Sequence, residues 1–592
     1  MKKFIYKSIL ALSLAGIITA CDLETDPKSS AEPESVFKIY GLAEKAVMAI
    51  HQSFGEQNSY RGRFLPYYGI NSDVEWINNM DAAKITTDAK YQLATYAPTS
   101  TNTEMNTDNN AWAKFYEGIE RANMAIVGLR THGNVETDAD MAHLLGEALT
   151  LRAVIYLDLV KAWGDVPARF EPVTPQTIYT PRSDRDVIYK QILADLKEAE
   201  ALVAWPNRST QTMTVERVNK AFVKALRARI ALYAGGYSQR KDGVRLSTDP
   251  ELSRAEMYKI AKEECLDIIN NGSNKLGSFE QNFRRLCEDL VEAGEESIWE
   301  IPFADGRGRV LYTFGVQHQA ADQYTGQAKG GVNGPLPYLF YDYDLEDVRR
   351  DITCVPYEWS KESISRQQLR SLKTWCFGKL RYEWMKRKVT STNDDGVNWQ
   401  YMRLADVYLM AAEAINELEG PNNAAQYMKP ILDRALPAAK TDAYMSKATA
   451  SKDAFFNAIV EQRAFEFAGE SLRRADLIRW NLLKTKLDEA KAKMTQLARR
   501  EGAYKNLPEK LYYKTDVDNE TLLIYGLNHG ETDEQGQKLI DEEGYLSDTW
   551  INTDKLTDAL INALYQKDPN QNQYWPIWQT FIDSSNGTLT ND

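Results

Sequence analysis

The chain has 592 residues, enough for one large domain or several smaller ones, and its 43% hydrophobic and 26% charged residues are an ordinary globular balance. A formal charge of -13 argues against a nucleic-acid partner, whose phosphates demand a basic face, and disfavours adsorption to anionic lipid. With 5 Cys and 5 His there is little material for metal chemistry, and no metal or cofactor is expected. Cys265, Cys287, Cys354 and Cys376 lack zinc-type pairing; they form one or two disulfides or stay as buried, unpaired thiols.

Met1, Lys2, Lys3 and Lys7 make a basic start, Ile9 to Ile18 is apolar, and Thr19-Ala20 lead to Cys21. A basic region, an apolar run too short to span a bilayer and small residues before a break predict a secretory signal over 1–20. The placing of Cys21 resembles a bacterial lipobox, so Cys21 is expected to carry the lipid anchor. Asp22, Glu24 and Asp26 resemble the surface-export signal of Bacteroidetes lipoproteins, and 21–35 reads as lipidated Cys plus flexible tether.

Helical spacing of apolar residues predicts helices over Val36 to Ser53, Ala111 to Arg130 and Asp138 to Trp163. The last carries two adjacent apolar stripes and is packed on more than one side; Gly164-Asp165-Val166-Pro167 stops it. Helices follow over Asp184 to Val203, Val215 to Tyr233 and Arg254 to Asn270, joined as hairpins like those of a tetratricopeptide solenoid. From about Asn271 to Trp399 Gly, Asp, Asn and aromatics rise and helical spacing is lost, with a short strand expected in Glu296 to Ile301. A long irregular stretch inside a compact domain is usually functional. Helix returns over Tyr401 to Leu418, Ala424 to Ala435, Asp453 to Phe467 and Leu472 to Ala490; Leu507 to Gly544 reads as loop, and the chain ends in an irregular tail.

Several segments carry a recognisable series. They are Trp112-Ala113-Lys114-Phe115-Tyr116-Glu117-Gly118-Ile119 with Arg121-Ala122-Asn123, then Glu147-Ala148-Leu149-Thr150-Leu151-Arg152 through Trp163-Gly164-Asp165-Val166-Pro167. Ala225-Leu226-Arg227-Ala228-Arg229, Arg403-Leu404-Ala405-Asp406-Val407-Tyr408, Glu461-Gln462-Arg463-Ala464-Phe465-Glu466-Phe467, Asp476-Leu477-Ile478-Arg479-Trp480 and Tyr574-Trp575-Pro576-Ile577 continue it. In this order, behind a lipobox, the series resembles the SusD/RagB family of outer-membrane nutrient-binding lipoproteins. Arg474-Ala475 and Trp578 depart from the family pattern and leave local packing open.

The resemblance implies a mainly α SusD-like fold: tetratricopeptide-like helical hairpins in a right-handed solenoid, plus a loop-rich region with a few short strands. It divides the chain into a helical-hairpin region over 36–270 and a C-terminal region over 271–592. In the latter, 271–400 is the loop-rich ligand face and 401–490 returns to helical hairpins. It also implies a non-catalytic protein on the outer membrane, facing the cell exterior, that binds oligosaccharide and delivers it to a SusC-like TonB-dependent transporter. A peptide cargo and a secreted helical glycosidase are the alternatives. The recurring charges Arg463, Glu466, Glu470, Arg473, Asp476 and Arg479 read as structural ion pairs around a break at Gly469, and Arg152 as the partner of a buried carboxylate.

No Walker loop, dinucleotide glycine fingerprint, zincin helix or Gly-x-Ser-x-Gly elbow is present, and no carboxylate pair stands out for glycoside hydrolysis. The acidic run Asp342, Asp344, Glu346 and Asp347 reads as a solvated turn rather than a calcium loop. Sugars stack on aromatic faces and pair their hydroxyls with planar polar side chains. The loop from Tyr67 and Tyr68 through Asn71, Asp73 and Trp76 has that mixture, and by resemblance Asp73 and Trp76 lead as ligand contacts. Asn106, Asp108 and Asn109 form a second set, and Tyr324, Tyr357, Trp359 and Trp375 a third. Trp112, Trp163, Trp299 and Trp480 sit in structural motifs and are expected in the core.

Overall fold

The computed structural model describes residues 32–78, 80–304, 306–393 and 395–591; the expected signal segment and Cys21 lie outside the described residues. Six helices open the fold: α1 (Tyr40–Gly55), α2 (Ala111–His132), α3 (Ala139–Trp163), α4 (Arg185–Leu202), α5 (Lys220–Ala234) and α6 (Arg254–Asn271). Each packs on its successor, as in a stack of helical hairpins. Their starts follow from sequence chemistry: Asn110, Asp138, Asp184 and Asn219 each accept a backbone N–H of the first turn. Such a cap contributes about 1 kcal/mol. Of the 25 residues of α3, all but Ala139, Asp140 and Lys161 are buried, as its double stripe requires. Arg152, on that helix, pairs with buried Asp195 at 2.7 Å.

The stack then skips the middle of the chain. Helix α7 (Leu404–Glu419) packs directly on α6, and α8 (Pro421–Asp433) on α7. Everything between is carried outward as one loop-rich excursion. Two strands close its neck: β2 (Ser297–Ile301) pairs antiparallel with β4 (Trp399–Arg403). A second pair, β1 (Glu75–Ile77) with β3 (Asn333–Pro335), ties the excursion to the loops between α1 and α2. Asn78 strengthens that tie, its amide donating to the carbonyls of Gly331, Thr374 and Trp375.

Helices α9 (Lys452–Phe467), α10 (Arg473–Arg479) and α11 (Leu483–Arg499) complete the helical part. Gly469 breaks the chain after α9 with φ 81°, and the surrounding charges act as expected. Several of their partners, though, lie on other elements. Glu466 is gripped by Arg349 at 3.1 Å, by Arg403 at 2.6 Å and by Arg434. Burial alone would raise its carboxyl; the three guanidiniums win and hold it well below the usual range. Arg463 bridges Asp406 and Asp476, and Arg479 bridges Glu413 and Asp476.

Five segments differ from the sequence reading, the first being 472–490, which is not one helix but α10 and α11 parted at 480–482. The apolar run after Val36 is two helices, Pro33–Phe37 and α1. Helix α5 begins only at Lys220, where Asn219 caps it, and 401–403 belongs to β4, its Met402 and Arg403 paired across to β2. The segment 507–544 is not loop: β5 (Lys510–Thr515) lies between β6 (Leu522–Tyr525) and β7 (Leu546–Thr549), with helix Asp533–Glu543 alongside. Strands of four to six residues with little alternation leave a weak signal. Cys265, Cys287, Cys354 and Cys376 are all free and buried.

Candidate functional site

The loop expected to hold ligand is packed inward instead. Asn71 adopts φ 57° and is fully buried, its amide donating to the Ala563 and Leu564 carbonyls. Asp73 is buried under Arg473, which grips both of its oxygens at 2.8 and 2.7 Å. Tyr68 stacks on Phe64 at 4.9 Å beneath the Lys161 ammonium. Trp76 is 1% exposed. Tyr67 is buried as well, but its hydroxyl reaches Glu104 at 3.2 Å.

The middle set also turns inward. Trp375 is fully buried and lies parallel to Trp550 at 6.1 Å. Trp359 is buried against the His318 ring at 5.6 Å, and His318 sits between Asp322 and Glu383. Tyr324 is half-buried and donates to Glu520; Tyr357 is half-buried and accepts from Arg381. The expectation that Trp76, Trp359 and Trp375 make an exposed ledge is therefore corrected: burying a Trp face against the core stabilises the fold more than leaving it wet. Trp112, Trp163, Trp299 and Trp480 are core residues, as expected. Of the second set, Asn109 is exposed, while Asn106 and Asp108 bond Thr580. The acidic turn is filled by the Lys440 ammonium, which pairs with Asp344 and Glu346.

What remains open is a different aromatic surface. A groove of about 310 Å³ runs between the start of α2, the 178–180 loop and the C-terminal helix α12 (Gln579–Ser584). Tyr179, 48% exposed, stands at its edge. Tyr116 and Phe581 line it, and the Trp112 ring lies 6.1 Å from that of Phe581. Arg169 closes one side, its guanidinium 5.6 Å from the Tyr116 ring and its Nε without a partner. Thr180, Ser584 and Thr588 add hydroxyls. The sequence reading placed Trp112 in the core and overlooked Tyr179, which lies in a loop with no motif around it.

Four arginines stand on two other segments. The single π-turn Tyr60–Phe64 carries Arg61 and Arg63, and the loop after β2 carries Arg307 and Arg309. Both are Arg-Gly-Arg triplets, a repeat legible in the sequence. The glycines permit a close backbone approach at each triplet. A Cβ on Gly62 would lie 2.2 Å from the Gln57 carbonyl oxygen, and one on Gly308 2.1 Å from Asp395 Oδ1. Asp395 clamps the second triplet by accepting from the Leu311 N–H at 3.1 Å; burial pushes its carboxyl up to about 7 against the pull of such N–H groups. Arg61 feels the charges of Arg307 and Arg309; with its burial they push its pKa down. Glu104 takes Arg63 and the Tyr67 hydroxyl, both at 3.2 Å.

Residues 355–592 match the family model described as SusD family, and residues 59–232 match one described as "Starch-binding associating with outer membrane". The chain belongs to the SusD family. Among relatives of this SusD-family protein, SusD-like protein P25 of Formosa agariphila is 24% identical over 499 residues, covering 78% of this chain and 86% of its own. SusD-like protein P38 of the same organism is 24% identical over 507 residues, covering 81% and 92%. A SusD homolog from Bacteroides thetaiotaomicron superposes with a TM-score of 0.69 at 17% identity, over 94% of this chain and 98% of its own. Surface glycan-binding protein A from the same species, in complex with laminarihexaose, superposes with a TM-score of 0.61 at 19% identity, over 93% and 98%.

Proposed function

We propose that this SusD-family protein is a non-catalytic binder of oligosaccharide at the outer membrane that passes its cargo to a SusC-like TonB-dependent transporter. The observation that carries the reading is the aromatic groove at Tyr179, an open apolar face bordered by the Arg169 side chain and by hydroxyls. That combination suits a pyranose ring, whose C–H face stacks while its hydroxyls take and give hydrogen bonds. The family description over 59–232 names starch binding and association with the outer membrane, and a solved relative carries laminarihexaose. Cys21 supplies the anchor, and the tether that follows holds the folded part at the surface. The exposed apolar side chains Ile39 and Leu42, with Met124 and Val127 on neighbouring α2, offer the transporter a docking face on the helical side.

The test is a binding panel of oligosaccharides and peptides against the soluble chain and its Tyr179→Ala and Phe581→Ala variants. Saccharide binding that weakens in both variants, with unchanged melting temperature, supports the reading. Peptide binding without saccharide binding, or sugar release by the purified protein, overturns it.

A further inference from the structure

The groove at Tyr179 has a neighbour. A second cavity, of about 360 Å³, opens between the end of α3, Arg182, Lys241 and the tail around Tyr574 and Asn591. The two share their walls. Tyr179 and Thr180 line the groove, and Arg182, two residues on, lines the cavity. Thr588 and Leu589 line the groove, and Asn591 lines the cavity. Two residues of chain span at most about 7 Å, so the openings lie side by side. One hydrogen bond makes the seam between them: Arg182 Nη1 donates to the Thr590 carbonyl at 2.9 Å. The Trp112 ring of the groove also meets the Trp163 ring of the cavity edge-on at 5.4 Å.

Both sides of the seam are anchored. Asn591 exchanges hydrogen bonds with the Ile577 backbone at 2.7 and 3.0 Å, and the Ser183 N–H donates to the Val166 carbonyl at 3.0 Å. The wall is preformed, so a ligand laid across it loses little to ordering the protein. Within the cavity Arg185 is spent on Asp165 and the Tyr574 hydroxyl, and Arg240 on Asp184 and Asp186. Arg182, half-buried, keeps Nε and Nη2 without an acceptor among the described residues, and exposed Lys241 has no carboxylate partner there. Arg185 uses only Oδ1 of Asp165, which leaves Oδ2 without a donor among those residues. Donors and an acceptor thus border one space. Four cations stand against three carboxylates, close to charge balance, which suits a neutral hydroxyl-bearing unit.

We infer that this cavity is a second saccharide subsite. The ligand is an oligosaccharide long enough to cross the Arg182–Thr590 seam, with one unit stacked in the groove and another hydrogen-bonded in the cavity. This rests on the glycan-binding reading and narrows its substrate class to chains rather than single sugars or pairs. The two subsites divide the work. The groove offers the rings of Tyr116, Tyr179 and Phe581, and the cavity offers the polar heads of Arg182, Lys241 and Asp165. Once one unit is seated, contact at the other subsite is intramolecular, so affinity climbs with chain length.

The experiment titrates the lipid-free mature chain with laminari- and malto-oligosaccharides, each as a series from two units to seven. Variants are Lys241→Gln, Arg182→Gln, the two together, and Tyr179→Ala, each with its melting temperature. The expected result is that, in the series that binds, the longest chain binds about tenfold or more tightly than the disaccharide. The double variant loses that gain and keeps the affinity for the disaccharide, whereas Tyr179→Ala weakens every length. Should Arg182→Gln lower the melting temperature, Lys241→Gln alone decides, and it is expected to lose part of the gain. Equal binding at every length, or a gain untouched by Lys241→Gln and by the double variant, overturns the second subsite and leaves the glycan reading standing. No binding of either series at any length also overturns the subsite, and the Tyr179 panel then decides the glycan reading by itself.

Discussion

Asp73 and Arg473 meet as a buried two-pronged ion pair across 400 residues of chain. Arg473 Nε and Nη2 reach the two carboxylate oxygens, and Nη1 donates to the Val460 carbonyl. The pair pins the loop before β1 to the start of α10, so the carboxylate that looked free for a ligand is a structural bolt. Removing one member leaves an uncompensated buried charge, which costs about 3–5 kcal/mol. Asp73→Ala is expected to lower the melting temperature sharply. Any loss of ligand binding should track the unfolded fraction. A normal melting temperature with lost binding would return Asp73 to the ligand site.

Trp375 makes a parallel case. It lies flat against Trp550 and edge-on to Phe340, with no solvent-facing surface. Trp375→Ala should destabilise by about 3–5 kcal/mol through the cavity it leaves. Denaturant unfolding checks this; a loss below about 1 kcal/mol would mean the site collapses or the ring is not core.

Glu75 gives a pH signature. Burial pushes its carboxyl up to about 8, with Lys379 nearby opposing, whereas the unfolded chain ionises it near 4.5. Between those values the folded state holds the extra proton. Stability therefore falls as pH rises through that window, by about 1.4 kcal/mol per unit at most, and levels off above it. Glu75→Gln removes this dependence. The difference between wild-type and variant unfolding free energies, followed from pH 5 to 9, should slope against the wild type and then flatten; a flat line throughout would show Glu75 ionised in the fold.

Gly469 should resist substitution. Its φ of 81° is open to glycine, and a Cβ there would press the Phe377 ring at 3.0 Å. Gly469→Ala is expected to cost about 1–3 kcal/mol. The same turn places Glu470 against Arg403 and Lys379. A thermal melt equal to wild type would show that the turn relaxes freely.

The helical stack was legible because its signals are local. Caps at Asn110, Asp138 and Asp184, and the wide apolar arc of α3, announce themselves within a few residues, while the equally local cap at Asn219 was passed over. The break at Gly469 was legible for the same reason. The site was harder to read, because exposure is a long-range property. Trp76 and Tyr179 look alike as sequence; only the packing of β1 against β3, and the loop position of Tyr179, separates the buried ring from the wet one. The sheet of β5, β6 and β7 stayed hidden because its half-exposed strands lack clean alternation. The departure at Arg474 proved compatible with the fold: its guanidinium lies 4.3 Å from the Tyr96 ring and donates to the Gln573 carbonyl.

Gln573 and Trp575 carry a further consequence. The Trp575 N–H donates to the Ala162 carbonyl at the end of α3, and its ring packs against Trp163, Phe64 and Tyr68. Gln573 exchanges hydrogen bonds with Gln239. The opening helices thus complete their interior with residues from far along the chain. A fragment holding those helices alone has a hole where Trp575 belongs, so the hairpin stack is not a self-sufficient folding unit and its cooperativity runs through the late segment.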